Sequence, residues 1–537
     1  MKKSFCLFII ALVYACGASR QTSGQGGSFS VRPGEDLTDC INRNTAFHEF
    51  LLGPGTYTAG NGQCITRSHI VIRKKDPSDE VMISDPLQIC GDGNTIDGLC
   101  WDADRDKGIR RSDPATLAIS GSHNTIRNCI FRNFRSTENG NKILSIGRLS
   151  IGEGRFLNTV ADSNLIESCT FDNWGLRGEP RGSVKSSACI TVGREDDKGK
   201  FRGTTIRNNL FVNGPYKEYG YNAACKIFNA VLLENNIFFG GQECLEIKYG
   251  NSTIRGNTIH HFSGYNILAN RYGKNNLYED NIVYDVEPID DHASAQGFMI
   301  WECGNTVFRN NLIYRCAKTG QIPGRESLKN DVMEYVLIEN NSFINNGGGI
   351  HFENKMGGAR HIVITRNIFY NARGSGGFNA LLNDEDSSLE YYGDNLYWGL
   401  VRGEGDQAPR IADPQFTDTA GDLYSIQGNP VTCGYGAFPC GRKEDKKEGG
   451  LYDPAHYIIL YPTKDKWVFH IGLAGLDILP ESLEIETITG ILLIKRSFDK
   501  PGLKLISNID LRSDHRPDYI VKIHIASGDI IKYIHIE

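Results

Sequence analysis

One short unit recurs down the middle of the chain and restricts its fold more than any other feature. It runs Asn-Thr-Ile-Arg-Asn-Cys-Ile-Phe from Asn124 to Phe131. It returns in related form from Asn164 to Phe171, Thr204 to Phe211, Val231 to Phe238, Ser252 to Ile259, Asn276 to Val283, Thr306 to Ile313, Val336 to Phe343 and Ile362 to Phe369. Each copy is a strand, a one-residue bend and a second strand. Asn209, Asn236, Asn257, Asn281, Asn311, Asn341 and Asn367 fall in register, where Cys129 and Cys169 stand in the earlier copies. Asn tolerates left-handed backbone angles and can hydrogen-bond its own copy one level up, so the repeat predicts an asparagine ladder at a sharp bend. The shortest intervals, a little over twenty residues, match one turn of a parallel β-helix, and longer ones are loops inserted on a fixed scaffold. The expected fold is all-β: a right-handed parallel β-helix over residues 27–440, followed by a small C-terminal β-sandwich.

Composition narrows the function classes. The formal net charge of −6 provides no basic field to attract nucleic acid, so any surface that binds a charged polymer has to be local. The 60 glycines suit a chain of many turns between short strands. Lys2 and Lys3 precede an apolar run from Phe5 to Tyr14, too short to span a bilayer and followed by small residues; residues 1–22 thus read as a secretory signal. Val13 to Cys16 also resembles a lipobox, and both acylation of Cys16 as an outer-membrane lipid anchor and ordinary cleavage stay open. No later segment is apolar enough to cross a membrane, so the expectation is an exported protein, periplasmic, at the cell surface or secreted. The 15 cysteines are odd in number and irregularly spaced. Cys433 and Cys440 bracket a short loop and can pair, and no Cys/His spacing resembles a zinc site.

The ladder register also points to a site. Counting back about nine residues from each ladder Asn reaches Lys226, Lys248, Arg271 and Glu302 in consecutive coils. Stacked strands lie roughly 4.8 Å apart, which places these side chains in one charged column. Further back, Asn222, Glu243 and Asn266 form a second polar column. A single charged residue at a strand end is most often merely solvated, but two aligned columns suggest a groove for an extended anionic polysaccharide.

The stretch from Glu243 through Glu246, Lys248 and Asn257 to Asn270, Arg271, Tyr272 and Gly273 resembles the active-site region of polysaccharide lyase family six, the alginate lyases and chondroitinase B. The resemblance implies a β-eliminating lyase of a uronic-acid polymer, with Lys248 as base and Arg271 stabilising the developing charge or assisting the leaving oxygen. It implies Ca²⁺ near Asn222, Glu243 and Glu246. Lys226 and Tyr272 would contact substrate, as would Glu302 and the loop carrying Asp290, Asp291 and His292. Two other classes use the same groove: a glycoside hydrolase with Glu302 paired to Asp290 or Asp291, and a non-catalytic glycan-binding adhesin.

Beyond a charged linker at residues 441–450 the ladder ends and alternating strands begin. Residues 451–537, with Leu460-Tyr-Pro462 and the pair of strands around Ser527-Gly528-Asp529, resemble the β-sandwich sorting domain of type IX secretion in Bacteroidetes. That implies the secretion machinery as a partner. A capping or glycan-binding sandwich is the alternative.

Overall fold

The computed structural model describes residues 27–437, except 61–62, 104–114, 137–138, 148, 151–155, 158–159, 265–266, 291–294, 302, 325–332, 355–358, 373–377, 384–388, 419–422 and 427–433. Beyond these it describes 458–463, 465, 467–473, 480–487, 491–498, 507–512, 514, 518–525 and 528–536. The leader, Cys16, the Cys433–Cys440 pair, Asn266 and the 441–450 linker lie outside the described residues.

Among the described residues three long parallel sheets, of 14, 14 and 12 strands, wind around one core as a right-handed β-helix. The Thr-Ile-Arg strands of the repeat stack in the first sheet and the Ile/Leu-Phe strands in the second. The third sheet is built from the less regular strands between repeats. Trp101, Phe131, Phe171, Phe211 and Phe238 form a continuous stack inside, with ring centroids 4.5–5.0 Å apart. Coil spacing and the aromatic stacking distance thus coincide, so each aromatic meets its copy face on.

The asparagine ladder forms as expected. Each Oδ1 accepts from the backbone N–H and Nδ2 of the Asn one coil before it, at 2.9–3.1 Å, from Asn209 through Asn236, Asn257, Asn281, Asn311, Asn341 and Asn367 to Asn395. Cys169 joins it by donating its N–H to Asn209 Oδ1. The left-handed angle is displaced by one residue from its expected place. It belongs to Asn208, Asn235, Gly256, Asp280, Asn310, Asn340 and Arg366, with φ between 51° and 62°. That preceding residue turns the chain, which lets the ladder Asn point inward and bond.

The helix Leu37–Arg43 lies at the N-terminal edge of the third sheet, with Leu37 and Ile41 fully buried. Thr38 Oγ1 donates to Ala59 O, and Asn42 Nδ2 to the carbonyl of Cys64 in the edge strand Cys64–Ile65. Cys64 and Cys90, on successive coils, form a disulfide that the cysteine spacing did not suggest.

The C-terminal strands are antiparallel and form sheets of 3 and 4 strands that share a core including Ile471, Leu483, Ile485, Ile509, Tyr519 and Val521. This is the expected sandwich. It packs on the outer face of the first sheet, where Ile459 and Tyr461 meet Leu277, Val307, Leu337 and Val363. Tyr461 Oη donates to Asn305 Oδ1, and Asn305 Nδ2 donates to Leu473 O. No helix among the described residues is long and apolar enough to cross a membrane.

Candidate active site

The third sheet carries an open cleft of about 510 Å³, lined by Ser186, Tyr221, Lys226, Glu243, Glu246, Lys248, Arg271, Met299, Trp301, Gln321 and Pro323. A second hollow of about 280 Å³ continues it toward the N-terminal coils and shares Ser186, Lys226 and Lys248 with it. The groove therefore crosses several coils.

A local irregularity places both carboxylates on the cleft. In the strand Glu243–Ile247, Cys244 and Leu245 both enter the core. Strict alternation would put Glu243 and Glu246 on opposite faces. The inward pair between them brings both out on the same side, as Ala224 and Cys225 do between Ala223 and Lys226 one coil earlier.

Glu246, only 3% exposed, is the centre of the site. Its Oε1 lies 3.0 Å from Arg271 Nη1 and 3.3 Å from Lys248 Nζ, and its Oε2 lies 3.8 Å from Lys226 Nζ. The cation side chains retain 16–24% exposure, so one nearly buried carboxylate holds three cations whose ends still reach solvent. With Glu243 included, three positive charges face two negative ones, which favours an anionic ligand. Arg271 is also flanked by rings, its guanidinium carbon 4.6 Å from the Trp301 centroid and 5.5 Å from that of Tyr272. Burial disfavours the Arg271 charge, but its interactions with Tyr272 and Glu246 outweigh that and hold its pKa above the ordinary value. Lys248 Nζ sits 5.2 Å from the Phe228 ring centroid.

The expected column is displaced by two residues on one coil. Lys226 pairs across the ladder with Glu246, and that row continues through Ala269 and Met299 to Gln321. Lys248 directly follows Ile247, which pairs with Asn270, so Lys248 and Arg271 share the next row, and Arg271 pairs with Trp301. Trp301 thus stands where counting put Glu302. Sequence reading missed it because the count back from Asn311 was one residue too short on that coil; an aromatic next to the counted position was the available signal.

Tyr272 has φ +72°, unusual for a bulky residue. It sits against Arg271 instead of on the cleft wall. Asp290 accepts from Tyr219 Oη and lies 3.8 Å from Arg181 Nε, away from the cleft lining. Asp291, His292 and Glu302 lie outside the described residues.

The calcium expectation meets a poor donor set. Asn222 is fully buried and does not reach the cleft. Its Oδ1 accepts from Leu176 N at 2.8 Å and Ser187 Oγ at 2.7 Å, while its Nδ2 donates to Gln242 Oε1 at 3.1 Å. Glu246 is committed to three cations. Ca²⁺ takes about 6–8 oxygen ligands, and of the three expected residues only Glu243 and Glu246 line the cleft.

Comparison with known proteins agrees with this fold. Residues 195–324 match a family model described as a right-handed beta helix region. Among solved structures, the chain is similar to the alginate lyase AlyGC of polysaccharide lyase family six, with a TM-score of 0.57 and 17% identity, covering 77% of this chain and 57% of that one. A mannuronic acid specific family 6 lyase from human gut microbiota aligns with a TM-score of 0.48 and 14% identity, covering 72% of this chain and 91% of that one. No curated protein sequence matches.

Proposed function

We propose that this protein is an exported polysaccharide lyase that cleaves a uronic-acid-containing polymer, of the alginate or chondroitin/dermatan type, by β-elimination. The observation that carries this reading is the convergence of Lys248 and Arg271, from adjacent coils, on one open cleft around Glu246. A uronate bound there sets its carboxylate against the cations. Neutralising that carboxylate makes the proton on the adjacent ring carbon easier to remove. Lys248, once its ammonium has released a proton to solvent, takes that proton, the electron pair forms the new C=C bond, and the glycosidic C–O bond breaks. Arg271, with five donors in a rigid fork, stabilises the developing charge or assists the leaving oxygen. Lys226 does the neutralising that a metal would otherwise do, so no step passes through calcium.

Incubation with alginate, chondroitin sulfate, dermatan sulfate and pectate, followed by ultraviolet absorbance, tests the reaction class. A conjugated double bond is expected with one of the uronate polymers. New reducing ends without that absorbance would mean hydrolysis, and no cleavage of any polymer would leave an adhesin. Chelation is expected to leave the rate within about two-fold; loss of activity restored by Ca²⁺ would overturn the metal-free reading. Lys226→Ala should lower kcat as well as raise KM, because the neutralisation it supplies strengthens as charge builds on the carboxylate in the transition state.

We also propose that the protein is exported, which the Cys64–Cys90 disulfide, a feature of oxidising compartments, supports, and that the C-terminal sandwich acts as its sorting domain. Fractionation of the native host should find the protein at the cell surface or in the medium; retention in the cytoplasm or periplasm would count against it.

A further inference from the structure

The junction between the β-helix and the C-terminal sandwich holds a second group of chemistry-bearing side chains, remote in sequence from the cleft residues. His361 lies in the strand Ala359–Thr365, Glu390 in Leu389–Gly393 and His470 in the sandwich strand Val468–Leu473. Their donor atoms lie within 4.8 Å of one another. We propose that His361, Glu390 and His470 form a zinc site that fastens the sandwich to the coil.

Three independent features favour a metal over an ordinary polar contact. First, the donors are two imidazoles and one carboxylate, a set that suits Zn²⁺ and leaves a fourth position for water. Tetrahedral zinc with bonds of about 2.1 Å sets its donors roughly 3.4 Å apart. His361 Nδ1 and Glu390 Oε2 are already 3.0 Å apart, so modest side-chain rotation completes the cluster.

Second, His470 is 6% exposed and its Nδ1 is buried without a hydrogen-bond partner. An orphaned buried ring nitrogen costs stability unless something satisfies it.

Third, the backbone departs from regularity on both coil strands at these residues. Ile362 pairs with Leu389 and Val363 with Tyr391, so Glu390 is the extra residue of a bulge. His361 has φ +55°. Bulges re-aim side chains, and here one turns Glu390 toward His361. Tyr335 braces the pair, its ring stacked on His361 at 4.5 Å and edge-on to His470 at 5.1 Å. The three ligands come from distant parts of the chain, which is why no Cys/His spacing announced the site.

The test uses the full chain, stripped with EDTA and titrated with Zn²⁺, with metal content measured after dialysis. About one zinc per chain should be retained, the thermal midpoint should rise, and Co²⁺ should give the intense visible bands of a tetrahedral site. His470→Gln and His361→Gln should each weaken zinc binding at least as much as the roughly 10–100-fold that loss of an outer-shell partner brings. Both should leave Lys248-dependent activity unchanged. If His470→Gln fails to fold, Glu390→Gln, which preserves shape, carries the same test. No retained zinc, equal retention of Ca²⁺ and Zn²⁺, or unchanged zinc affinity in the variants would overturn the proposal.

Discussion

Lys248→Ala should lower turnover by about two to four orders of magnitude, the range for losing a positioned base, with KM little changed. The side chain lies at the cleft surface and is 21% exposed, so its loss leaves no core cavity. Glu246 keeps Lys226 and Arg271 as partners, and the anion-binding surface survives. Arg271→Lys provides the companion measurement. It preserves the charge but loses the planar fork held between Trp301 and Tyr272, and kcat should fall severely although the net charge is unchanged. A Lys248→Ala enzyme with near wild-type turnover would sink the lyase mechanism. Attention would then move to a carboxylate pair including Glu302.

Asn281→Ala should cost about 2–5 kcal/mol of stability, read from the urea midpoint. Asn281 is fully buried. Its Oδ1 accepts from both N and Nδ2 of Asn257, and its Nδ2 donates to Ile254 O and Asn311 Oδ1. Truncation orphans the buried Asn257 N–H and withdraws a donor from the Ile254 carbonyl and from Asn311 Oδ1, with roughly 1–3 kcal/mol for each group left unsatisfied. Because coils stack in one dimension, the loss falls between two neighbours and should reduce cooperativity as well. Asn281→Asp should cost at least as much, because it buries a carboxylate that faces the Ile254 carbonyl and Asn311 Oδ1, both acceptors. A variant within about 0.5 kcal/mol of wild type would mean that the ladder contributes little.

The ladder and the sheets it organises were legible because Asn returns at the same place in each coil from Asn209 to Asn367. Such periodicity survives inserted loops of any length. The bend itself was harder to place: Asn208-Asn209 and Asn235-Asn236 present two candidates each, and only backbone geometry separates the one that turns from the one that bonds. The third sheet repeats least, so counting from the ladder drifted there, by two residues at Lys226 and by one at Trp301. The pair of consecutive inward residues, Cys244 and Leu245, is a corner of the coil and has no signature in a period of two. That corner determines which carboxylates face the substrate groove, and for the same reason Asn222 read as a ligand although it is tied to Leu176, Ser187 and Gln242. Long-range pairs such as Cys64 with Cys90 follow from which coils stack, which sequence spacing alone does not give.

The helix Leu37–Arg43 also bears on how copies of this protein behave when crowded together. A solenoid is terminated by rows of backbone groups ready to accept another strand, and head-to-tail growth of such ends makes fibres. Here the helix lies over the edge of the third sheet, and its Asn42 side chain takes the Cys64 carbonyl that an incoming strand would seek. A chain long and rich in parallel strands can therefore end in a covered edge instead of an open template.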